Sequence, residues 1–320
     1  MNEYNIADIH TNGIAVVPYP STISNDFNFT QFIEEQVEFI NPTENDIFVM
    51  GGFGAYGTPS SYHHPALRKI RTEICNYTKE QFKNIYPNKY FEFIPDRFAV
   101  RKPGSSVSPE SWHRDISNID KNKKIHGNNT DIIYGGWVNL DKTQSQTFSC
   151  VPKTHIEPVN GMGFYKIEKD DAKLYKSQEK KINVPPNHMI IFNEKTVHRI
   201  AAVTQKNTSI RVFMKYKISD FPNTLFPITN TKQIINSQGV FPISVDQLYP
   251  PMYAKLHIVN WSSRLNNFSN TVKPVFCCET TNRVNRHMCS LEEASQKTGQ
   301  NLMYPPYTEN EKFIYNIHKL

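Results

Sequence analysis

Apolar positions along the chain follow two different periods. Between residues 26 and 40, Phe29, Phe32, Ile33, Val37 and Ile40 recur every three to four positions, which lines one face of a helix. Ser24, Asn25 or Asp26 can cap its start. A second stripe, Leu67, Ile70, Ile74, Tyr77, Gln81 and Phe82, predicts a helix over 65–85. Pro65 suits its first turn, where a missing N–H leaves no bond unmade. From Phe91 the period shortens to two. Phe91, Phe93 and, after Pro95, Phe98 and Val100 alternate with polar neighbours such as Arg97, the pattern of a strand with two unlike faces. Further strands are predicted at 131–140, 146–151, 181–184, 189–192, 197–203 and 209–218. An earlier short one, Ile14–Val17, is stopped by Pro18.

Turn residues punctuate these runs, as in Pro152-Lys153-Thr154-His155 and Pro185-Pro186-Asn187-His188. Many short strands without alternating helices predict a mainly β protein with flanking helices, built as an antiparallel barrel or jelly roll. The stretch Gly51-Gly52-Phe53-Gly54-Ala55-Tyr56-Gly57 lacks the Lys-Ser/Thr ending of a phosphate-binding loop and reads as a loop packed against other backbone. Beyond residue 220 the chain is proline-rich and its periodicity weakens, with a short helix expected near 254–264. Residues 1–220 therefore read as the core domain, with a helical N-terminal part, and 221–320 as an extension packed on it.

Composition narrows the class of function. A chain of 320 residues can bury a sizeable core, and 38% hydrophobic with 21% charged residues suits a soluble protein. The net charge of +6 is small for this length and forms no basic stripe, which disfavours nucleic acid as partner; Lys121-Asn122-Lys123-Lys124 reads as a solvated loop. No apolar run reaches the ~18 residues of a membrane span, and no signal-peptide pattern opens the chain. Five cysteines are too few, and odd in number, for a disulfide scaffold, so a reducing cytoplasmic location is expected. Cys277-Cys278 with His287 and Cys289 lacks the spacing of a zinc knuckle. Nothing in the sequence sets an oligomeric state.

The chemistry concentrates at Ser111-Trp112-His113-Arg114-Asp115. On a strand, His113 and Asp115 share a face while Arg114 points away. Such a pair is two thirds of the two-histidine, one-carboxylate set that holds non-haem Fe(II) with positions left open. His198, on the strand after the buried run 189–192, is the candidate third ligand. Arg211 lies on the following strand. If Thr204–Asn207 forms a four-residue hairpin loop, Val203 pairs with Thr208, Ile200 lies opposite Arg211, and His198 and Arg211 face one interior. An arginine there can receive a carboxylate with two parallel hydrogen bonds. Each residue taken singly also has an ordinary reading, as a hydrogen-bonded core pair or a satisfied core histidine. His155, His63 and His64 read as loop or surface residues.

In this order the residues resemble the phytanoyl-CoA dioxygenase family of Fe(II)- and 2-oxoglutarate-dependent oxygenases. The segments that carry the resemblance are Trp112–Asp115, Gly136–Asp141, Val151–His155, Pro185–Phe192, Val197–Arg199 and Arg211. It covers roughly 10–220 and is strongest over 91–218. It implies a double-stranded β-helix (jelly-roll, cupin-like) core, with Fe(II) held by His113, Asp115 and His198 as the catalytic centre. Arg211 would bind the distal carboxylate of 2-oxoglutarate, and Trp137 would line the cosubstrate pocket. The implied reaction consumes O2 and 2-oxoglutarate, releases succinate and CO2, and hydroxylates a small-molecule substrate. Halogenating relatives replace the carboxylate of the ligand set, so Asp115 favours hydroxylation. Two positions depart from the family pattern. Lys153 stands where the turn commonly has glycine, and Ile200 stands where a hydroxyl can face the cosubstrate. The alternative, from another class, is a catalytically silent jelly roll with a structural or interaction role.

Overall fold

Alternate side chains leave a strand on opposite faces, and the central strands of this protein bury both faces. The computed structural model describes residues 4–19, 47–50, 65–101, 110–115, 131–158, 165–200, 207, 209–222, 276–278, 287–289, 308–314 and 316–320. The helices expected at 26–40 and 254–264, the glycine-rich stretch 51–57, and His63 and His64 lie outside them.

The strands are β1 (Ile14–Pro18), β2 (Ile47–Met50), β3 (Tyr90–Arg101), β4 (Glu110–Arg114), β5 (Ile132–Asn139), β6 (Gln146–Val151) and β7 (Tyr165–Lys166). They continue with β8 (Lys180–Val184), β9 (His188–Asn193), β10 (Val197–Ile200), β11 (Ser209–Ser219), β12 (Phe276–Cys278), β13 (His287–Cys289) and β14 (Ile317–Lys319). Helices are α1 (Ile9–Asn12), α2 (Pro65–Ile85), α3 (Lys169–Ser177) and α4 (Glu309–Phe313). A seven-stranded sheet runs β1-β9-β5-β11-β3-β14 with β2 also on β3, and a five-stranded sheet runs β7-β4-β10-β6-β8. All their pairings are antiparallel. Along the chain, β3, β5, β9 and β11 go to the larger sheet and β4, β6, β8 and β10 to the smaller, the alternation of a double-stranded β-helix. The mainly β, jelly-roll expectation is met.

Strand parity sorts the core into layers. Ile14, Val16, Trp137, Ile190 and Phe192 from the larger sheet meet Phe148, Cys150, Ile182 and Val184 from the smaller one, and this is the interior between the sheets. The opposite faces of the same strands, with Ala15, Val17, Val138, Met189, Ile191, Val212, Met214 and Tyr216, pack under α2. Leu67, Ile70, Ile74 and Phe82 of that helix are buried as expected, whereas Tyr77 and Gln81 are only half-buried and Thr78 takes the inner position. The Thr78 hydroxyl donates to the Ile74 carbonyl at 2.7 Å and meets the Tyr216 hydroxyl at 3.2 Å, so a polar residue sits in the stripe without an unmet bond. On the outer face of the smaller sheet, Trp112, Val151, Ile167 and Val197 are covered by Ala172 and Tyr175 of α3. That helix, with few apolar residues, is missing from the sequence-based expectations.

Near its far end the chain rejoins this core. β14 adds to the edge of β3, and Glu311 of α4 pairs with Arg68 of α2 at 3.5 Å. β12 and β13 form a separate antiparallel pair with Cys278 opposite His287. No helix of the described residues is long and apolar enough to cross a membrane.

β5 and β9 approach so closely at Gly136 that a Cβ there would lie 2.4 Å from the Ile190 carbonyl oxygen. At Gly135 the nearest atom is the tip of the Phe192 ring, at 3.0 Å. A ring can shift where backbone cannot. Gly136→Ala is expected to cost about 3 kcal/mol in urea denaturation and Gly135→Ala about 1 kcal/mol; equal losses would contradict the close backbone approach.

Candidate metal centre

Antiparallel pairing of β4 with β10 places His198 directly opposite His113. Both side chains point into the interior between the sheets, and their ring centroids are 4.2 Å apart. Asp115 follows β4 on the same parity as His113. Its backbone N–H donates to the Glu194 carbonyl at 3.0 Å, fixing the turn that aims its carboxylate back at the two imidazoles. Asp115 Oδ1 lies 3.6 Å from His113 Nε2 and 3.7 Å from His198 Nε2. The three potential ligand atoms all fall within 4.8 Å of one another.

These distances separate the metal-ligand reading from a hydrogen-bonded core pair. At 3.6 and 3.7 Å the carboxylate is too far from either ring nitrogen for a hydrogen bond. Both separations are below the roughly 4.2 Å possible for two ligand atoms each ~2.1 Å from a common ion. The remaining ring nitrogens are both engaged. His113 Nδ1 is 2.7 Å from the Ser111 carbonyl and His198 Nδ1 is 2.9 Å from the Thr196 carbonyl. A carbonyl oxygen only accepts, so each Nδ1 carries a proton and Nε2 is the ring atom left facing the centre as a potential ligand.

Electrostatics agree with this for His198. Burial pushes His198 down to about 4, with Lys215 and His113 adding to the shift against the opposing pull of Asp115. It is therefore neutral at neutral pH. Burial works against the Asp115 carboxylate too, but His198, His113 and Lys215 outweigh it and hold its pKa well below the usual range. A neutral imidazole and an ionised carboxylate are the forms that bind a cation without first losing a proton. His113 and His198 are buried, and Asp115, at 29% exposure, marks the open side. Phe148 and Phe192 wall the opposite side, with ring centroids 5.4 and 4.9 Å from that of His198.

Arg211 and Trp137 come together on the inner face of the larger sheet. The guanidinium carbon stands 4.1 Å from the Trp137 ring centroid, and Nε donates to Gln146 Oε1. Gln146 Nε2 in turn donates to Asn139 Oδ1 at 2.8 Å and to Asp141 Oδ2 at 2.7 Å, so the guanidinium plane is fixed by a buried amide network. Trp137 belongs to the same apolar interior as Phe148 and Phe192.

One expectation is corrected. β10 and β11 do not form a hairpin: β10 pairs with β4 and β6, whereas β11 pairs with β3 and β5. Ile200 lies opposite Glu110, and Arg211 lies opposite Ala99 and Asn139. In a jelly roll these consecutive strands cross the end of the sandwich to opposite sheets. Arg211 therefore faces the interior from the wall across from His198, not from beside it.

Lys215 and Glu194 escape the sequence reading. Lys215 shares its face with Arg211 and Phe213, and its ammonium pairs with the buried Glu194 carboxylate at 2.5 Å. A lysine every second residue on a strand reads as a solvent face; only the second sheet turns it inward. His155 does not approach the centre, and its Nε2 bonds the His10 carbonyl at 2.8 Å. Lys153, at the turn where glycine was expected, has φ +70° with its side chain exposed, and its N–H donates to the Asn12 carbonyl at 2.9 Å.

No protein-family model matches the sequence, and neither does any curated protein. Solved structures do show a likeness. The non-heme alpha ketoglutarate dependent carbocyclase SnoK from nogalamycin biosynthesis is 14% identical, with a TM-score of 0.45 over 68% of this chain and 84% of that one. EvdO2 from Micromonospora carbonacea var. aurantiaca, complexed with 2-oxoglutarate, is 14% identical with a TM-score of 0.45 over 68% and 91%. HygX from Streptomyces hygroscopicus, with nickel, 2-oxoglutarate and hygromycin B bound, is 13% identical with a TM-score of 0.44 over 71% and 90%.

Replacing Lys153 by glycine relieves a left-handed residue without removing packing. Left-handed geometry costs a side-chain-bearing residue ~1–2 kcal/mol, and the added freedom of glycine in the unfolded chain offsets part of that. Lys153→Gly is expected to stabilise the fold by about 0.5–1 kcal/mol in chemical denaturation; a loss of stability would contradict the backbone geometry.

Proposed function

We propose that the protein is an Fe(II)- and 2-oxoglutarate-dependent oxygenase of the phytanoyl-CoA dioxygenase-like type that hydroxylates a small molecule. The observation that carries this reading is the convergence of His113 Nε2, His198 Nε2 and an Asp115 oxygen, with both Nδ1 atoms held by backbone carbonyls. That donor set, two imidazoles and one carboxylate, suits iron and leaves coordination positions open for cosubstrate. A Cys-rich or all-carboxylate set would favour other metals.

The remaining residues have roles that follow from position. Arg211, fixed by Gln146 and stacked on Trp137, receives the distal carboxylate of 2-oxoglutarate from the wall opposite the ligands. Trp137 forms the apolar floor beneath it. Phe148 and Phe192 keep bulk water from the buried side of His198. Bound iron and 2-oxoglutarate supply, with O2, the oxidising power that ends as succinate, CO2 and a hydroxylated product. The protein's own part is ligand geometry, cosubstrate orientation and a closed apolar wall. The final helix and strand of the extension pack on this core, and all the site residues named above fall within 1–220.

Anaerobic addition of Fe(II) and 2-oxoglutarate should develop a visible metal-to-ligand charge-transfer band, and admission of O2 should release succinate. His113→Ala and Asp115→Ala should lose the band and weaken Fe(II) binding by more than the ~10–100-fold typical of changes outside the ligand set. Arg211→Ala should keep Fe(II) binding and raise the KM for 2-oxoglutarate at least about 10-fold, as expected for loss of a charged hydrogen-bond partner. Folded protein that shows neither band nor succinate would instead establish the catalytically silent jelly roll.

A further inference from the structure

Arg114, the residue between the two ligands on β4, points away from the centre, yet it is among the most deeply buried side chains of the protein. Its guanidinium lies on the outer face of the smaller sheet and collects partners from three separate segments. Nη1 donates to the Thr154 carbonyl at 2.5 Å and to the Lys195 carbonyl. Nη2 donates to Glu157 Oε2 at 2.6 Å and lies 3.4 Å from the Tyr175 hydroxyl of α3, which itself donates to Glu157 at 2.7 Å.

Two of those contacts lead straight to the third ligand. Lys195 precedes Thr196, whose carbonyl accepts from His198 Nδ1 at 2.9 Å. Thr154 Oγ1 accepts the Val197 N–H at 2.8 Å while donating to the Val151 carbonyl at 2.7 Å, so it seats the residue before His198. The strand with His113 and Asp115 is thus tied, through one guanidinium, to the turn and the threonine that place His198.

We propose that Arg114 is a positioning residue for the metal centre, acting with Thr154 as a clamp that fixes the spacing between the two-ligand strand and His198. The proposal rests on the metal reading above. The clamp acts on geometry. A planar fork with several donors can hold two backbone carbonyls in fixed relation, which a lysine ammonium on a flexible stem does not. Cross-strand pairing alone leaves the ligands a looser spacing, because the register of β10 with β4 shifts between His198 and Ile200.

The test uses Co(II) alone as a spectroscopic probe of the full-length protein, freed of metal, with the dissociation constant read from its visible bands. Arg114→Met and Arg114→Lys are expected to bind Co(II) ~10–100-fold more weakly than wild type, the range for residues that orient metal ligands, with altered bands and an unchanged far-UV circular dichroism spectrum. Arg199→Met is the control. It removes another guanidinium from the same sheet, one residue from His198 and paired with Glu179 at 2.7 Å, and should bind within twofold of wild type. If Arg114→Met does not fold, Thr154→Val decides, with the same weakening expected and wild-type affinity retained in Thr154→Ser. Wild-type affinity in the folded Arg114 variants, or in Thr154→Val, would overturn the clamp. A loss in Arg199→Met equal to that in Arg114→Met would also overturn it, as general loosening of the sheet. Wild-type protein that takes up no Co(II) would overturn the metal reading itself, and the clamp with it.

Discussion

The pairing of β4 with β10 is the contact on which the rest depends. It sets His113 directly opposite His198 on neighbouring antiparallel strands. Two imidazoles at that separation, both buried, have no reason to attract one another. They are held there by the carbonyls of Ser111 and Thr196, which accept hydrogen bonds from the Nδ1 N–H groups and leave the Nε2 atoms facing Asp115. The polar cost of burying these rings is met on the side away from the centre, so the centre itself retains unspent donor capacity.

Sandwich architecture supplies the second condition. Because successive strands alternate between sheets, residues far from the ligands along the chain face them across the interior. Arg211 and Lys215 enter in this way from β11, each neutralised or fixed within the wall: Arg211 by Gln146 and the Trp137 face, Lys215 by Glu194. Low exposure strengthens such interactions relative to water. The Asp115 carboxylate stays ionised because His198, His113 and Lys215 together outweigh the cost of its burial.

Much of this was legible along the chain. Alternation and short apolar runs located nine of the fourteen described strands, missing β2, β7, β12, β13 and β14, and Gln146–Val151 was placed to the residue. The two-residue spacing of His113 and Asp115 required only that β4 be extended, which it is. α2 was readable because Pro65 and an apolar stripe act locally. α3 was not, since Lys169–Ser177 is mostly polar and its few apolar residues find their partners on Trp112 and Val197, far away in sequence. Lys153 in a left-handed turn was foreseeable as a departure, but its geometry came from the chain closing on Asn12.

The sequence by itself determined which residues share a face, because side-chain parity along a strand is a local property. It therefore determined that His113 and Asp115 share a face and that Arg211, Phe213 and Lys215 form one row. Which sheet each strand joins was decided only by tertiary structure. A short polar link such as 204–207 can close a hairpin or cross to the opposite sheet, and local backbone preference does not distinguish the two. Burial of β11 between α2 and the smaller sheet does distinguish them, and it moves Arg211 from beside His198 to the wall that faces it.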